Sequence, residues 1–286
     1  MDDTAPADSG TKPAHTPKPR SEWRDTLSFL IKLAILVFVV RSFIFAPFSI
    51  PSGSMLPTLF IGDYVAVAKW PYGFSRFSFP WGFPSFEGRI VSNLPARGDV
   101  VVFRAPGTDE DFVKRVIGLP GDRVEVQGGM LVLNGRPIPR EQAGTFAMPV
   151  SANSPCRVVA GATPMVSRSD DGGTACLYPV FRETLPDGRA YQVIDQVDNP
   201  RADTVAPAVV PEGHLFLMGD NRDDSLDSRF SPQEGGIGFV PVENLIGRAT
   251  LIFWSTDGTA EYPKPWTWFS ALRGDRIATG FDGSER

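Results

Sequence analysis

The stretch that decides the fold class is RGDVVVFRAPGTDEDFVKRVIGLPGD, residues 97–122. It holds two short runs rich in Val, Ile and Phe, at 100–103 and 112–117, and the second is followed by the turn dipeptide Pro120-Gly121. Such runs, bounded by Gly and Pro, are typical of β-strands. The same pattern predicts further strands at residues 64–69, 123–126, 131–133, 215–218 and 249–253. We therefore expect a mainly β, antiparallel fold preceded by one N-terminal helix.

The composition supports this fold class. The 286 residues include 28 glycines and 27 prolines, well above the average combined share of about 12%. That surplus excludes a long helical bundle or coiled coil, and the length predicts about two domains. Residues 128–210 alternate less clearly and hold both cysteines. We predict that they form a smaller β domain inserted into a larger one made of residues 47–127 and 211–256.

The chain is poor in the residues that bind metals. It has two histidines, His15 and His214, and two cysteines, Cys156 and Cys176. A multi-histidine metal cage or a zinc finger is excluded, and we expect neither a metal nor another cofactor. The net charge of −5 argues against a nucleic-acid partner. If the chain is an enzyme, its general base is predicted not to be histidine.

One apolar segment predicts a membrane anchor. Residues 27–45 read LSFLIKLAILVFVVRSFIF, about 28 Å as a helix and close to the hydrocarbon thickness. Lys32 and Arg41 are nine residues apart, so they lie on opposite helix faces and do not form the polar stripe of an in-plane helix. We favour a spanning helix within 26–46 over an interfacial or a buried soluble one. No small-residue cleavage site follows, which favours an uncleaved anchor.

The charges around the anchor predict its orientation. Residues 1–25 form a polar tail, predicted disordered, that contains Lys12, Lys18, Arg20 and Arg24, whereas residues 48–68 contain no Lys or Arg. The positive-inside rule places the N-terminus in the cytoplasm and the β region outside. Cys156 and Cys176 then lie in an oxidising space, where a disulfide between them is plausible. Two isolated buried thiols are the alternative.

The segment after the anchor, IPSGSMLPT at residues 50–58, places two serines in an extended, non-helical backbone. A nucleophilic serine needs a rigid, exposed setting with donors free to meet an oxyanion, and this segment meets that need. An ordinary loop would look the same.

A second segment, residues 112–122, places a lysine among apolar residues. Strand alternation puts Phe112, Lys114 and Val116 on one face. Burial there would lower the pKa of the lysine, and a lowering of about two to three units would suit it to act as a general base. A surface lysine on an edge strand is the simpler reading.

A third segment, GDNRDDSLDSR at residues 219–229, is rich in Asp and Arg. It fails as a calcium loop because Arg222 stands where an acidic ligand is required. It fits a network of carboxylate–guanidinium pairs that supports a site, or an ordinary solvated turn.

Together these segments carry a resemblance. IPSGSMLPTL, RGDVVVF, KRVIGLPGD and GDNRDDSLDSR, in this order after a membrane helix, resemble the sequence boxes of bacterial type I signal peptidases. The resemblance covers about residues 48–126 and 211–253. It implies a membrane-bound Ser/Lys endopeptidase of the cytoplasmic (inner) membrane that removes signal peptides from exported preproteins at the outer face. Its partners would be signal peptides and membrane lipid.

The resemblance also implies residue roles. Ser54 would be the nucleophile, Lys114 the general base and Ser52 an oxyanion donor beside the Ser54 N–H. Ser225 would orient the Lys114 amine. Four charged residues would support the site, namely Asp220, Arg222, Asp227 and Arg229. Shallow pockets for small substrate residues would be lined by Phe48, Ile50, Met55, Leu59, Val65, Phe112 and Val113.

Several features lie outside the resemblance. Residues 230–237 are longer than in the shortest family versions, and residues 257–286 are expected to form a C-terminal tail. Two aromatic groups predict either membrane contact or local core: Phe77, Phe79, Trp81, Phe83 and Phe86, and then Trp254, Trp266, Trp268 and Phe269. His214 is predicted to be structural. Two other functions stay open, a specialised maturation protease for one secretion or conjugation substrate and a non-catalytic membrane-tethered binding domain.

Overall fold

The computed structural model describes residues 22–163, 165–168, 172–261 and 263–281. Most of the predicted N-terminal tail, with Lys12, His15, Lys18 and Arg20, lies outside these residues, as do residues 282–286. The described chain falls into two units, one that ends at Phe38 and one that begins at Val39.

The N-terminal helix, α1, spans Glu22–Val39 and continues as a π-helical turn over Val40–Ile44. Within the described residues, one helical segment, Glu22–Ile44, is long and apolar enough to cross a membrane, and it contains 23 residues. It covers the predicted span of residues 27–45 except for Phe45, which begins the first strand.

The remainder is mainly β-structure. Its strands are β1 Phe45–Ser49, β2 Asp63–Ala68, β3 Phe74–Ser75, β4 Arg89–Ile90, β5 Val100–Arg104, β6 Asp111–Gly118, β7 Arg123–Gln127, β8 Met130–Leu133, β9 Arg136–Pro137, β10 Arg140–Pro149, β11 Met165–Arg168, β12 Thr174–Thr184, β13 Ala190–Ile194, β14 Thr204–Val209, β15 His214–Met218, β16 Val240–Pro241 and β17 Leu245–Ser255. Two short helices are α2 Pro200–Asp203 and α3 Trp266–Ser270. The predicted fold class, mainly antiparallel β after one helix, is confirmed.

The largest sheet has seven antiparallel strands in the order β1-β2-β17-β5-β6-β15-β16. Alternate residues of β5 enter two different hydrophobic clusters, Val100 and Val102 one of them and Val101 and Phe103 the other. Because both faces of this strand are covered, its sequence is continuously apolar instead of alternating. β6 pairs along β5, with Lys114 opposite Val101, and this register brings the predicted lysine to the middle of the sheet.

Two further sheets hold most of residues 123–209. One has the order β14-β7-β8-β9, and the other contains β10, β12 and β11 with β13 beside β12. The predicted boundary at residues 127 and 128 falls between β7 and β8, which pair directly. A third hydrophobic cluster also joins Ile117 and Phe216 to Leu131 and Val193. The division into two domains therefore stays a prediction, with its boundary inside a shared sheet and core.

The segment predicted as a C-terminal tail folds back on the largest sheet as far as residue 281. Isolated bridges join Thr256 to Leu272 and Leu251 to Gly280. The Arg276 guanidinium donates to the Asp63 carboxylate, with 2.6 Å between Nη2 and Oδ2. These contacts tie the C-terminal segment to β2 and β17.

Candidate active site

An open cleft of about 880 Å³ lies in the unit that begins at Val39. Four of the predicted polar residues line it, namely Ser52, Ser54, Lys114 and Ser225. β1, the serine segment that follows it and the start of β6 form one part of its lining, and the segment after β15, with Asn199 and Arg201 at α2, forms another. The cleft is therefore the candidate active site.

Ser54 and Lys114 are in direct contact in this cleft. The Lys114 amine donates a hydrogen bond to Ser54 Oγ at 2.8 Å and a second one to the Val113 carbonyl at 3.2 Å. Both residues are buried, Ser54 with 7% and Lys114 with 5% of its surface exposed. The structure thus brings together two residues that are sixty positions apart in the sequence.

Burial lowers the pKa of Lys114 from 10.5 to about 8, because the ammonium loses hydration there. The carboxylates of Asp227, Asp220 and Asp224 act in the opposite direction, and Arg229 acts with burial. Burial dominates, so about a tenth of the amine is neutral at pH 7 and about half at pH 8. A neutral amine that touches a serine hydroxyl can accept its proton.

The serine segment is fixed at both ends by backbone hydrogen bonds. Ile50 N–H donates to the Asp63 carbonyl at 2.8 Å, and Leu59 N–H donates to the Met55 carbonyl at 2.9 Å. Asn221 holds the middle, since its N–H donates to the Ser54 carbonyl at 3.0 Å and its side-chain amide donates to the Gly53 carbonyl at 3.1 Å. The Gly53–Ser54 peptide is therefore held in one orientation.

Ser52 lies at the exposed rim of the cleft. Its Oγ is 3.3 Å from Ser54 Oγ, and either hydroxyl could be the donor. This position leaves the Ser52 hydroxyl free to turn toward a group bound next to Ser54.

Asp220 is at the centre of a buried network behind Lys114. Arg115 donates to it twice, at 2.8 Å from Nε and 2.6 Å from Nη2, and the Thr58 hydroxyl donates at 2.5 Å. Arg115 follows Lys114 on β6 and points to the other face, where it also donates to the Gly98 carbonyl at 2.7 Å. The strand thus carries the candidate base on one face and a supporting arginine on the other.

Two more buried ion pairs hold the segment after β15. Arg229 pairs with Asp227 at 2.9 Å, and Asp227 also accepts from Gly219 N–H at 2.9 Å. Burial acts to raise the pKa of Asp227, but the charge and hydrogen bonds of Arg229 outweigh it, so the pKa is lowered. Arg222 pairs with Glu183 of β12 at 2.5 and 2.7 Å. The four predicted charged residues therefore lie in supporting networks beside the cleft.

Ser225 differs from the expectation. The structure gives its buried hydroxyl no hydrogen-bond partner among the described residues. The expected bond to Lys114 is not formed, because the amine is directed at Ser54 Oγ and the Val113 carbonyl. Ser225 packs instead against Gly219. A Cβ added to Gly219 would lie 2.3 Å from Ser225 Oγ and 2.6 Å from the Ser54 carbonyl oxygen.

The predicted substrate-binding residues divide into two groups. Phe48, Ile50, Phe112 and Val113 line the cleft. Met55, Leu59 and Val65 have no exposed surface and lie in the cluster beneath it, so they do not form its wall. All three are apolar and near Ser54 in sequence, and this pattern does not distinguish a pocket wall from the core that supports it.

Several residues of the site were not singled out from the sequence, among them Thr58, Arg115, Asn221 and Glu183. Thr58 and Arg115 lie within the quoted motifs, and an alternation argument applied to β6 would have placed Arg115 behind Lys114. Asn221 also lies in a motif, but its two contacts to the serine segment have no local signal. Glu183 lies in a different sheet strand, far along the chain from its partner Arg222.

The two cysteines form a disulfide between Cys156 and Cys176. Cys176 lies on β12 and is almost fully buried, in a cluster with Leu56 and Phe60. The bridge therefore fastens the segment around residue 156 close to the serine segment. His214 lies at the start of β15, where its Nδ1 is 3.0 Å from the Glu212 carbonyl oxygen, apart from the cleft.

One group of carboxylates could in principle hold a metal ion. Within the described residues, Asp195, Asp203 and Asp223 bring ligand atoms within 4.8 Å of one another. One oxygen of each is already used, because Arg140 donates to Asp195 Oδ2 and backbone N–H groups donate to Asp203 Oδ2 and Asp223 Oδ2, whereas Asp223 Oδ1 is buried with no hydrogen-bond partner among the described residues. Burial raises the pKa of Asp223 to about 6. We assign no metal to this group.

Comparisons with known proteins identify the family. The family profile described as "Signal peptidase, peptidase S26" matches residues 23–254. Signal peptidase I of Rickettsia typhi is 35% identical over 240 residues, covering 81% of this chain and 79% of that protein. Signal peptidase I of Rickettsia akari is 36% identical over 246 residues, covering 83% and 80%.

A crystal structure of a signal peptidase I from Enterococcus faecalis is 25% identical and covers 55% of this chain and 98% of that one, with a TM-score of 0.27. The profile match covers most of the chain, including the anchor segment and every motif that lines or supports the cleft. The chain therefore belongs to the signal peptidase family, peptidase S26.

Proposed function

We propose that this protein is a membrane-bound serine endopeptidase that cleaves signal peptides from exported preproteins after small residues, with Ser54 as nucleophile and Lys114 as general base. The observation that carries the proposal is the 2.8 Å contact between the Lys114 amine and Ser54 Oγ inside the cleft. Family membership and the apolar helix Glu22–Ile44 support the membrane setting.

The first half-reaction forms an acyl-enzyme. Ser54 Oγ attacks the scissile carbonyl carbon while its proton passes to the neutral Lys114 amine. The carbonyl oxygen becomes an oxyanion, for which Ser52 Oγ–H and the Ser54 N–H are the donors. The Lys114 ammonium then gives its proton to the nitrogen of the leaving amine, and the C–N bond breaks.

The second half-reaction releases the signal peptide. Lys114, neutral again, takes a proton from a water molecule as the water oxygen attacks the ester carbon. The resulting intermediate breaks the C–O bond to Ser54, and the Lys114 proton returns to Ser54 Oγ. The peptide leaves with a free carboxylate, and the enzyme is restored.

The substrate binds as an extended strand in this proposal. β1 is an edge strand of the largest sheet. β15 pairs with β6 as far as Arg115, so the edge of β6 from Asp111 to Lys114 faces the cleft. Two strand edges beside a catalytic serine favour main-chain recognition by strand addition. The apolar walls from Phe48, Ile50 and Val113 favour small apolar side chains next to the cleaved bond.

The N-terminus lies in the cytoplasm and the cleft lies outside in this proposal. The basic residues that precede the helix and their absence from residues 48–68 support this orientation. The disulfide between Cys156 and Cys176 supports it independently, because disulfides persist in oxidising spaces. The test is protease treatment of intact spheroplasts, which should digest residues 45–286. Protection until the membrane is permeabilised would contradict the orientation.

Preprotein cleavage in detergent tests the reaction. We expect the wild type to cleave, and Ser54→Ala and Lys114→Met to lose essentially all activity. Ser52→Ala should reduce kcat by about 10²–10³-fold, the effect typical of removing one oxyanion donor.

Lys69→Met is the matched control. Lys69 is also a buried lysine, and burial lowers its pKa to about 8, but it lies outside the cleft. Cleavage by Ser54→Ala or Lys114→Met would overturn the assigned pair, and an inactive wild type would favour a binding domain.

A further inference from the structure

Arg157 lies beside the cleft on a segment that is fastened to β12 at two points. The preceding residue, Cys156, is bonded to Cys176, and Arg157 N–H donates to the Tyr178 hydroxyl at 2.8 Å. Cys176 and Tyr178 are both buried. The backbone at Arg157 is therefore held in place, although it belongs to none of the quoted motifs.

The side chain of Arg157 crosses the serine segment. A Cβ added to Gly53 would lie 2.5 Å from Arg157 Cδ and 2.9 Å from its Nε, so the arginine stem lies directly against the Gly53 backbone between Ser52 and Ser54. Its guanidinium then reaches Asp224 and binds it in a bidentate manner, through Nε and through Nη2 at 2.9 Å from Oδ1. The hydrogen bonds that Arg157 donates to Asp224 raise the pKa of Arg157, so the arginine stays charged.

Three carboxylates act on the Lys114 amine to favour its charged form, namely Asp227, Asp220 and Asp224. Each is paired with its own arginine. Arg229 pairs with Asp227, Arg115 pairs with Asp220, and Arg157 pairs with Asp224. The first two arginines come from the motifs that also supply Lys114 and the carboxylates. The third comes from the disulfide-held segment.

We infer that Arg157 is a positioning residue for the proposed reaction: it holds the segment around Asp224 against the Gly53–Ser54 peptide and neutralises the carboxylate of Asp224 beside the candidate base. This inference rests on the proposed function. It assigns part of the Ser/Lys chemistry to a residue carried by the disulfide-held segment.

Other charged groups also face the cleft and set the background for any pH effect. Asp111 lies on β6, Glu110 before it, and Arg201 and Glu234 pair with each other across the cleft wall. Asp223 is next to Asp224, but its Oδ2 accepts from the Gln196 and Val197 N–H groups. None of these groups is hydrogen-bonded to Arg157. Substitution of Arg157 therefore leaves only the Asp224 carboxylate without its partner.

The experiment measures kcat/KM against pH for the full chain in detergent. The acidic limb of this profile is the pH range in which kcat/KM rises as Lys114 loses its proton. Without Arg157, the unpaired Asp224 carboxylate favours the Lys114 ammonium. Arg157→Gln should therefore move the acidic limb to higher pH by about half a unit and lower kcat near neutral pH by about tenfold. Arg157→Lys should recover the position of the limb and only part of kcat, because it keeps the charge and loses the bidentate fork.

Asp224→Asn tests the charge in the opposite direction. It leaves the Arg157 cation next to Lys114 without its partner, so the limb should move to lower pH. In the double variant Arg157→Gln/Asp224→Asn both charges are absent, and the limb should return close to the wild-type position while kcat stays reduced. A residue that only stabilised the fold would move none of these limbs.

Arg189→Gln is the matched control. Arg189 is about as exposed as Arg157, and it also binds carboxylates, those of Asp187 and Asp99, away from the cleft. If Arg157→Gln fails to fold, Asp224→Asn alone decides, and an unchanged or raised limb overturns the inference. A wild type that does not cleave, or a Ser54→Ala variant that does, instead overturns the proposed function. If the variants are active and their acidic limbs coincide with that of the wild type, only the role of Arg157 is overturned.

Discussion

Lys114 predicts how the activity depends on pH. Its amine must be neutral to accept the Ser54 proton, and burial lowers its pKa to about 8. The neutral fraction rises as pH increases through that value, so kcat/KM should increase about fivefold between pH 7 and 8 and fall about tenfold per unit at lower pH. The measurement is cleavage of a short peptide from pH 5 to 9.

The control for this pH profile is Lys69→Met. Burial, with a further contribution from Arg41, lowers the pKa of Lys69 to about 8 as well, so the position of the limb alone does not identify the base. If the limb belongs to Lys114, the control keeps it unchanged. A limb that disappears in Lys69→Met would contradict the assignment.

At the residue scale, alternation within a strand placed Lys114 on the same face as its apolar neighbours, because period-two patterning needs only local sequence, but it left a surface lysine as the simpler reading. The partners of the charged residues were not predictable in this way. Asp220 pairs with Arg115 and Arg222 with Glu183 across different strands, and such pairings depend on the sheet topology. Ser225 shows the same limit of prediction from sequence. The family resemblance implied that it orients the Lys114 amine, but it gave no information on the direction in which that amine points.

The pair formed by Arg222 and Glu183 predicts that β12 supports the catalytic segment. Glu183 is fully buried, and Arg222 is 3% exposed. Glu183→Gln would leave the guanidinium buried without a countercharge, and we expect a loss of about 3–5 kcal/mol in the free energy of unfolding. Denaturant unfolding in detergent measures it.

Glu234→Gln is the matched control for Glu183→Gln, because Glu234 pairs with Arg201 at the surface. Exposed pairs contribute little, so this variant should unfold like the wild type. Equal behaviour of the two variants would show that the buried pair does not tie β12 to the segment after β15.

The disulfide predicts a second stability effect at the level of elements. It closes a loop with a sequence separation of 20 residues. The double variant Cys156→Ser/Cys176→Ser should lose about 3 kcal/mol in the free energy of unfolding, mainly because the unfolded chain gains freedom. Protein purified from the native envelope should show no thiols that react under denaturing conditions, and two reactive thiols would contradict the bridge.

Strand prediction succeeded for five of the seven strands in the largest sheet, but it missed β12 and β13, although one face of each is buried. The predicted strand at residues 100–103 corresponds to β5, and that at 215–218 corresponds to β15. It failed for β10, where only Met148 is fully buried and most side chains are exposed, and for β11, where all four are exposed. Such edge strands form through backbone pairing with β12 and leave no hydrophobic period in the sequence.

At the scale of the whole molecule, the two aromatic groups fare differently. Phe77 packs against the core, and Phe79 contacts Phe86, so much of the first group is local core. Phe83 remains 74% exposed. In the second group, Trp266 and Phe269 of α3 are 69% and 77% exposed on a five-residue helix. The membrane contact predicted from the sequence is therefore tested most directly at α3, where two large side chains are exposed side by side on one short element.

Membrane contact through α3 would help the enzyme reach substrates that are themselves in the bilayer, because large apolar side chains are stabilised in the interfacial region. We expect Trp266→Ser/Phe269→Ser to lower kcat/KM for a full-length preprotein in proteoliposomes by about three- to tenfold and to leave cleavage of a short soluble peptide unchanged.

Met130→Ser/Val209→Ser is the control, since it removes two exposed apolar side chains, on β8 and β14. Equal losses on both substrates would indicate damage to the fold, and no loss on the preprotein would mean that α3 does not contact the membrane. The prediction is supported only if the α3 variant alone loses activity and only on the membrane-bound preprotein. Such a result shows that the cleft is intact and that the effect depends on the bilayer.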